Sequence, residues 1–286
     1  MRSPSKKAAR KAGVHAMRAG KVLAVAVILA WSLLPIAAII MASLKPAKDI
    51  FAVPQHLLFH PTFAHYLALW EKWPGFFHGL INSLVVTVGA TLLAVAASAL
   101  AGFAYSRRRT PGMASTAGFL IAVRLIPPIV VTLPLFPIVN ALHLEDTQLV
   151  LILLYASFFV SMGALLMRSF IDQIPRELDE AALVDGAGYL TILHRVIMPL
   201  AAPGMVSVAI FVMVFAWNEY VFAFIFTSIH AKTAPLALAE MVSAFDGVDW
   251  GVLFAASTVQ VLPVLLVVML MQKKLVAGLT AGAVKG

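Results

Sequence analysis

Long runs without a charged side chain dominate this sequence and restrict what it can fold into. The first run, Val22–Leu44, holds 23 uncharged residues. At 1.5 Å of rise per residue, a helix of that length reaches about 34 Å, which is enough to cross the hydrocarbon core of a bilayer. The apolar region of a cleaved signal peptide is only about 7–15 residues long, so we interpret this run as a membrane span.

Five further apolar runs, two of which contain a single charged residue, bring the number of predicted spans to six. The predicted spans are Val22–Leu44, Ile81–Tyr105, Met113–Ile138, Leu149–Met167, Ala201–Thr227 and Val252–Met271. Composition agrees, because 12% of the residues are charged, whereas soluble domains carry about 25%. No segment between the spans is long enough for an additional soluble domain. The predicted fold class is therefore an all-α integral membrane protein with six transmembrane helices.

The distribution of basic residues predicts the orientation in the membrane. With the N-terminus inside the cell, the inside segments hold sixteen Lys and Arg side chains and the outside segments hold four. The positive-inside rule then places both termini in the cytoplasm and explains the net charge of +8 without nucleic acid. We divide the chain into a basic cytoplasmic tail (1–21), a six-helix transmembrane domain (22–273) and a cytoplasmic C-terminal tail (274–286). The absence of cysteine excludes disulfides and thiolate metal sites.

A polar helical segment, residues 169–200, interrupts the apolar runs on the predicted cytoplasmic side; we call it the elbow. Its early acidic residues, among them Glu177 and Glu180, suit the first turn of a helix. Gly186 suits a helix C-terminal cap, and Pro199 closes a second helix. An amphipathic helix on anionic lipid usually presents Lys and Arg, whereas this one is acidic. The sequence therefore predicts a helix–turn–helix that fits a groove in another protein.

One pattern in the elbow resembles the EAA motif of ABC importer permeases. It consists of Glu-Ala-Ala at 180–182, then Gly186, then Val-Ile-Met-Pro at 196–199. The family pattern prefers Ile and Leu where Val196 and Met198 stand, which is a mild departure. The chain is thus similar to this permease family in the segment that carries its motif.

Three more stretches resemble the shorter, six-span permease of sugar importers. They are SLKP (Ser43–Pro46), AWNEY (Ala216–Tyr220) and LTAGAVKG (Leu279–Gly286). The resemblance implies the type I ABC importer permease fold in a bacterial inner membrane. It also implies four kinds of partner: a second, homologous permease, two ABC ATPase subunits, an extracytoplasmic solute-binding protein, and a sugar as cargo.

The resemblance implies a non-catalytic transport subunit that binds no cofactor itself. ATP and Mg would be used by the partner ATPase, and the chain lacks the Walker A pattern G-x-x-x-x-G-K-S/T. The elbow would be the coupling helix that sits in a groove of the ATPase. The residues assigned to this coupling are Glu180, Ala181, Ala182, Asp185, Gly186 and Pro199.

The outer loop from Ser228 to Gly251 would meet the binding protein, as the resemblance implies. Asp246, Asp249 and Trp250 are candidate contacts. The competing interpretation is a solvated loop with a Trp at the membrane interface.

Polar residues inside the predicted spans are candidates for the translocation pathway or its gate. They are Arg124, Asn218 and Glu219. A carboxylate in the middle of a span costs at least a few kcal/mol, so Glu219 should face protein or water. It could line the pathway or gate, or it could hydrogen-bond between helices and set their packing. Arg124 could pair with Glu219 or lie in the pathway, and the prolines around it predict a kinked third span.

Three alternatives to a sugar importer stay open at the level of the sequence. The same architecture could import a polyol or a glycerol phosphate. A secondary transporter driven by an ion gradient is a different class, although such carriers often have inverted repeats and paired broken helices. A membrane scaffold without transport activity is the third.

Overall fold

The computed structural model describes residues 4–281 apart from 56–57, 109 and 244–246, and its regular elements are helices. They are α1 (Pro4–Leu44), α2 (Ala47–Ile50), α3 (Ala64–Lys72), α4 (Pro74–Arg107), α5 (Met113–Val123), α6 (Pro128–Ala141), α7 (Gln148–Ile171), α8 (Glu177–Val184), α9 (Tyr189–Ile192), a π-helical turn (Leu193–Ile197), α10 (Met198–Leu200), α11 (Ala202–Trp217), α12 (Val221–Phe226), α13 (Ala234–Val242) and α14 (Trp250–Ala281). They form two compact units, one of Met1–Leu69 with Asp249–Thr258 and one of Trp70–Val248 with Val259–Gly286.

In the described part of the chain, four helices are long and apolar enough to cross a bilayer. They lie at Met17–Leu44, Pro74–Arg107, Gln148–Ile171 and Trp250–Met271. Two bent helix pairs raise the number to six if each pair counts as one span. One pair is α5 with α6, bent by 95°, and the other is Tyr189–Leu200 with α11, bent by 79°. The sequence-based prediction of six spans agrees with this count in number, although the second pair includes Tyr189–Leu200, which the prediction places in the cytoplasmic elbow.

The bend between α5 and α6 confirms the predicted interruption of the third span. Helix α5 ends at Val123, and Pro128 begins α6 as its first residue. Proline is favourable there, because its missing N–H would have had no partner in the first turn. Pro134 and Pro137 lie inside α6 itself.

The fifth span differs from the prediction of one continuous run from Ala201 to Thr227. Helix α11 ends at Trp217 and the chain becomes helical again only at Val221. The break coincides with Asn218 and Glu219, whose side chains hydrogen-bond to neighbouring backbone groups. Such local side-chain bonds compete with the regular helical pattern and end the helix.

The two predicted tails mostly continue the terminal helices. Helix α1 begins at Pro4, so residues 4–21 of the predicted N-terminal tail are helical, and α14 extends to Ala281. Residues 282–286, the end of the predicted C-terminal tail, lie outside the described residues.

The first unit is organised around the SLKP stretch, where Ser43 and Lys45 are both buried. The Ser43 hydroxyl lies 2.8 Å from the Tyr66 hydroxyl, and the Lys45 carbonyl lies 2.8 Å from the His65 ring nitrogen. Glycine at position 251 leaves room for that imidazole, because a Cβ there would collide with it. The stretch therefore fixes the end of α1 through hydrogen bonds.

The second unit has a core of α4, α7 and α11, in which α4 and α7 form the most extensive helix pair. Two glycines allow these helices to approach closely. A Cβ on Gly102 would collide with Met167 and lie 2.9 Å from the Arg168 backbone nitrogen. A Cβ on Gly163 would collide with Ser98. Small residues at helix contacts are the usual means of packing in membranes, where the hydrophobic effect does not drive helices together.

A carboxylate fixes the loop between α12 and α13. The Asp146 side chain accepts hydrogen bonds from four consecutive backbone N–H groups, those of residues 228–231, at 2.9–3.2 Å. Burial opposes ionisation of this carboxyl, but the four hydrogen bonds outweigh it and hold the pKa well below its usual range. Asn82 supports the same loop by donating to the carbonyls of His230 and Lys232 at 2.8 and 2.9 Å.

Replacing Gly102 by Ala should destabilise the α4–α7 pair. The new Cβ would meet backbone atoms of Met167 and Arg168, which cannot move aside as a side-chain tip can. We expect a loss of about 1–3 kcal/mol, the usual cost of overpacking, measured as a lower midpoint of thermal unfolding in detergent. Gly118→Ala is the matched control, since a Cβ there has open space. Equal midpoints for the two variants would contradict the close approach.

The Asp146 anchor should make stability depend on pH. Because the folded pKa lies below the unfolded value of about 3.9, the carboxylate stabilises the fold above that value, and this contribution is lost as pH falls towards the folded pKa. Asp146→Asn should therefore cost about 1–2 kcal/mol at pH 7, a modest figure for charged hydrogen bonds that are partly exposed. The difference in thermal unfolding midpoint between Asp146→Asn and wild type should narrow below about pH 4. Glu145→Gln, at the exposed neighbouring residue, is the control and should have the midpoint of wild type. A midpoint difference for Asp146→Asn that does not change with pH would disprove the mechanism.

Candidate functional site

The first arm of the elbow is helix α8, and it lies on the surface of the chain. None of its residues is buried. The helix ends in a Schellman motif, in which the N–H of Gly186 donates to Leu183 and the N–H of Ala187 donates to Ala182. Gly186 has φ +81°, a left-handed conformation that favours glycine. The predicted helix with a glycine C-terminal cap is present, and it begins at Glu177.

The second arm of the elbow runs from α9 through the π-helical turn to α10. Ile192, Leu193 and Ile197 from this arm are buried in the core of the second unit. Pro199 lies within α10, just before the bend at Ala201 that leads into α11. The second arm is thus embedded in the chain, whereas the first arm projects from it.

The predicted coupling residues lie partly on the exposed first arm and partly on the embedded second arm. Glu180, Ala181, Asp185 and Gly186 are exposed on the first arm, and Ala182 is half-buried. Pro199 is exposed at the far end of the second arm. Exposed apolar side chains accompany the acids: Leu178 is 42% exposed, Leu183 is 44% exposed and Val184 is 88% exposed. This combination of acids and uncovered apolar groups is typical of a protein docking surface.

A buried charge cluster connects α8 to the ends of α4 and α7. The Arg107 guanidinium forms an ion pair with Asp179, and the two side chains are only 7% and 14% exposed. Arg107 also donates to the carbonyls of Ile171 and Ile174 at 3.2 and 2.9 Å. The sequence gives no local signal for this pair, because Arg107 also fits the basic inside segments and Asp179 also fits the first turn of a helix. Arg176 donates to the Ser106 carbonyl and does not pair with Glu180, four residues further on.

An open cleft of about 980 Å³ lies beside this cluster. Its lining includes the arginines 107, 108, 168 and 176, together with Asp172 and Glu177. We call this arginine-rich region, where α4 and α7 end, the basic end of the spans. The cleft makes the surface around the first arm concave and mixed in charge.

Arg124 lies at the bend of the third span, as the C-terminal cap of α5. Its guanidinium is placed over the rings of Phe158 and Phe211, with distances of 5.3 and 5.7 Å to the ring centroids. One of its terminal nitrogens is buried without a hydrogen-bond partner. Of the two possibilities that the sequence left open for Arg124, the ion pair with Glu219 is not formed; cation–π contact takes its place.

Glu219 lies in the break of the fifth span and caps the helix that follows. Its carboxylate accepts from the backbone N–H groups of Phe222 and Ala223 at 3.0 and 3.4 Å. The buried phenol of Tyr155 lies beside the same carboxylate. Asn218 is exposed and donates to the Val214 carbonyl at 2.8 Å. These contacts stabilise the interruption of the helix. The role of Asn218 and Glu219 in the pathway stays a prediction.

The candidate binding-protein contacts lie near the start of α14. The Asp249 carboxylate accepts from the Val252 N–H at 3.2 Å, which caps that helix. Trp250 is 44% exposed and packs edge-on against Phe51 with 5.4 Å between ring centroids. Asp246 lies outside the described residues.

Comparison with known families identifies this arrangement. Residues 94–281 match the model of the family described as "Binding-protein-dependent transport system inner membrane component". The chain is 35% identical to the inner membrane ABC transporter permease protein YcjP of Escherichia coli (strain K12), over 94% of this chain and 97% of that protein. It is also 35% identical to the trehalose transport system permease protein SugB of Mycobacterium tuberculosis, over 91% of this chain and 94% of that protein.

The solved structures agree with the sequence relatives on the fold. A bacterial ABC transporter involved in the import of the acidic polysaccharide alginate has a chain that matches with a TM-score of 0.74 at 20% identity, covering 96% of this chain and 98% of that one. The predicted ABC importer permease fold is therefore confirmed. The relatives are named as permease components, which confirms the expectation of a transport subunit without catalytic activity. This chain belongs to the family of inner membrane components of binding-protein-dependent transport systems, as a multi-pass permease of an ABC transporter.

Proposed function

We propose that this chain is one of two homologous permease subunits of an ATP-driven sugar importer. The single observation that carries the proposal is the exposed first arm of the elbow, an acidic helix with uncovered apolar side chains in a chain of this family. The sugar as cargo is supported by relatives named for trehalose and for trehalose or maltose, both 35% identical to this chain. A relative named for diacetylchitobiose uptake, 33% identical, adds to this support.

In this proposal the partner subunits supply what the chain lacks. Two ABC ATPase subunits use ATP and Mg, and the first arm of the elbow docks on one of them through Glu180, Ala181, Ala182, Asp185 and Gly186. An extracytoplasmic binding protein delivers the sugar and meets the region of Asp246, Asp249 and Trp250. Both termini and the basic end face the cytoplasm, which follows the distribution of Lys and Arg. The ion-coupled carrier and the scaffold have lost their support, because the chain belongs to an ABC importer family.

The pathway lies where the third and fifth spans are broken. Arg124 and Glu219 are polar groups at membrane depth, and each sits at a place where a helix stops and restarts. Irregular backbone at that depth is tolerated where it is buried in protein or lines a water-filled cavity. We propose that the two breaks border the path between this chain and its partner permease, with Glu219 holding the fifth span in its broken form.

A pull-down from detergent-solubilised native membranes tests the proposal. We expect mass spectrometry to find an ABC ATPase and a second permease with the tagged chain. Gly186→Pro should abolish recovery of the ATPase, because proline has neither the positive φ nor the N–H that the Schellman motif uses. Gly188→Pro is the matched control, since φ at that residue is already −75°. Recovery of the chain alone, or full ATPase recovery with Gly186→Pro, would overturn the docking role.

Removing the charge of Glu219 should impair transport without impairing assembly. Glutamine keeps the shape but has one acceptor oxygen for the N–H groups of Phe222 and Ala223. We expect sugar uptake in proteoliposomes to fall about tenfold, which corresponds to about 1.4 kcal/mol, the lower end for hydrogen bonds to a charged group. Glu71→Gln, at an exposed residue of α3, is the control and should transport normally. Unchanged uptake and unchanged basal ATP hydrolysis in Glu219→Gln would refute the role.

A further inference from the structure

The first arm of the elbow has little apolar packing to fix it to the membrane-spanning helices. Helix α8 has no buried residue, and its largest apolar side chains are between 42% and 88% exposed. The backbone joins it to α7 through residues 172–176, a segment with no regular helix. A helix held only by such a connection would move relative to the spans when a partner pushes on it. Of the residues of α8, Ala182 packs against the buried core, and polar contacts complete the attachment of the helix.

Arg107 is the central residue of these polar contacts. It is the last residue of α4, and its side chain is 7% exposed. The guanidinium donates to Asp179 on α8, to the Ile171 carbonyl on α7 and to the Ile174 carbonyl after it. One side chain thus joins three segments: the end of α4, the end of α7 and the first turn of α8.

A second set of hydrogen bonds closes the same junction. The Ser106 hydroxyl donates to Asp172 at 2.6 Å, and Arg176 donates to the Ser106 carbonyl at 2.8 Å. The first and last residues of the connecting segment are therefore both bound to the last turn of α4. A buried charge pair with several supporting hydrogen bonds resists separation, because removing one partner leaves the other charge buried and unpaired.

We propose that Arg107 and Asp179 form a latch that makes α8 and the end of α4 move as one body. Motion imposed on α8 by a docked ATPase then reaches α4 directly, in addition to reaching α7 along the backbone. Arg107 and Asp179 are positioning residues in this scheme, since neither needs to touch the cargo or the nucleotide. The inference rests on the proposed function, because it takes α8 as the helix on which the ATPase docks.

The test compares Arg107→Gln, Asp179→Asn and the double variant in complexes reconstituted in proteoliposomes. The matched control is Arg195→Gln, which removes an exposed arginine from the second arm of the elbow, away from the junction. Three quantities are measured: recovery of the ATPase with the chain, sugar transported per ATP hydrolysed, and amide hydrogen exchange of residues 177–184 in the purified chain.

The latch predicts normal ATPase recovery with poor coupling. Each single variant should transport about tenfold less sugar per ATP hydrolysed, as expected when one member of a buried charge pair is removed. The double variant should be no worse than either single variant, because the two side chains act through each other. Exchange of residues 177–184 should accelerate in the single variants and stay unchanged in Arg195→Gln.

Other outcomes overturn the latch. Unchanged transport per ATP, or losses that add in the double variant, would show that the two residues do not act through each other in coupling. Loss of ATPase recovery with unchanged exchange would show that Asp179 belongs to the docking surface itself. If the wild-type chain recovers no ATPase, the proposed function fails. Hydrogen exchange on the purified chain then tests the attachment of α8 separately. Unchanged exchange in the single variants would disprove that attachment, whereas faster exchange would support it.

Discussion

Backbone N–H and C=O groups have no water to bind inside a bilayer, and the helical architecture of this chain follows from that constraint. Each place where a span stops being helical therefore needs a substitute partner. In the fifth span the Glu219 carboxylate takes the N–H groups at the start of α12, and the Asn218 amide binds a carbonyl at the end of α11. In the third span proline removes the need for a partner at the start of α6. The two breaks are thus stabilised by different chemistry.

The elbow meets two opposing requirements. A helix that docks on another subunit must keep its surface uncovered, and α8 does so by burying no residue. A helix that transmits motion must nevertheless be fixed to the spans, and apolar packing cannot do this without covering the surface. Arg107 resolves the conflict by binding α8 from its inner side through one carboxylate, Asp179. The residues proposed for docking, Glu180 among them, remain free of that contact.

Sequence patterns predicted the helices of this chain better than the contacts between them. Apolar run length located the spans, and the glycine at position 186 located the end of α8, because both signals are local. The break at Asn218 was missed, since hydropathy averages over two polar residues in an apolar run. Arg107 and Asp179 are 72 residues apart, and no local pattern indicates that they meet. Each residue also has a general explanation, Arg107 as a basic residue at the membrane surface and Asp179 as an acid at a helix start. Neither explanation indicates that the two residues pair.

The polar contacts of the second unit concentrate at the two ends of one helix, α4. Near its start, Asn82 and Ser83 bind the loop that Asp146 also fixes. At its end, Ser106 and Arg107 bind the elbow. Between these points α4 packs on α7 through small residues and spans about 35 Å at 1.5 Å per residue. Helix α4 is thus anchored near both ends and closely packed between them. Under the proposed latch, motion of the elbow would therefore reach the loop bound near the start of α4.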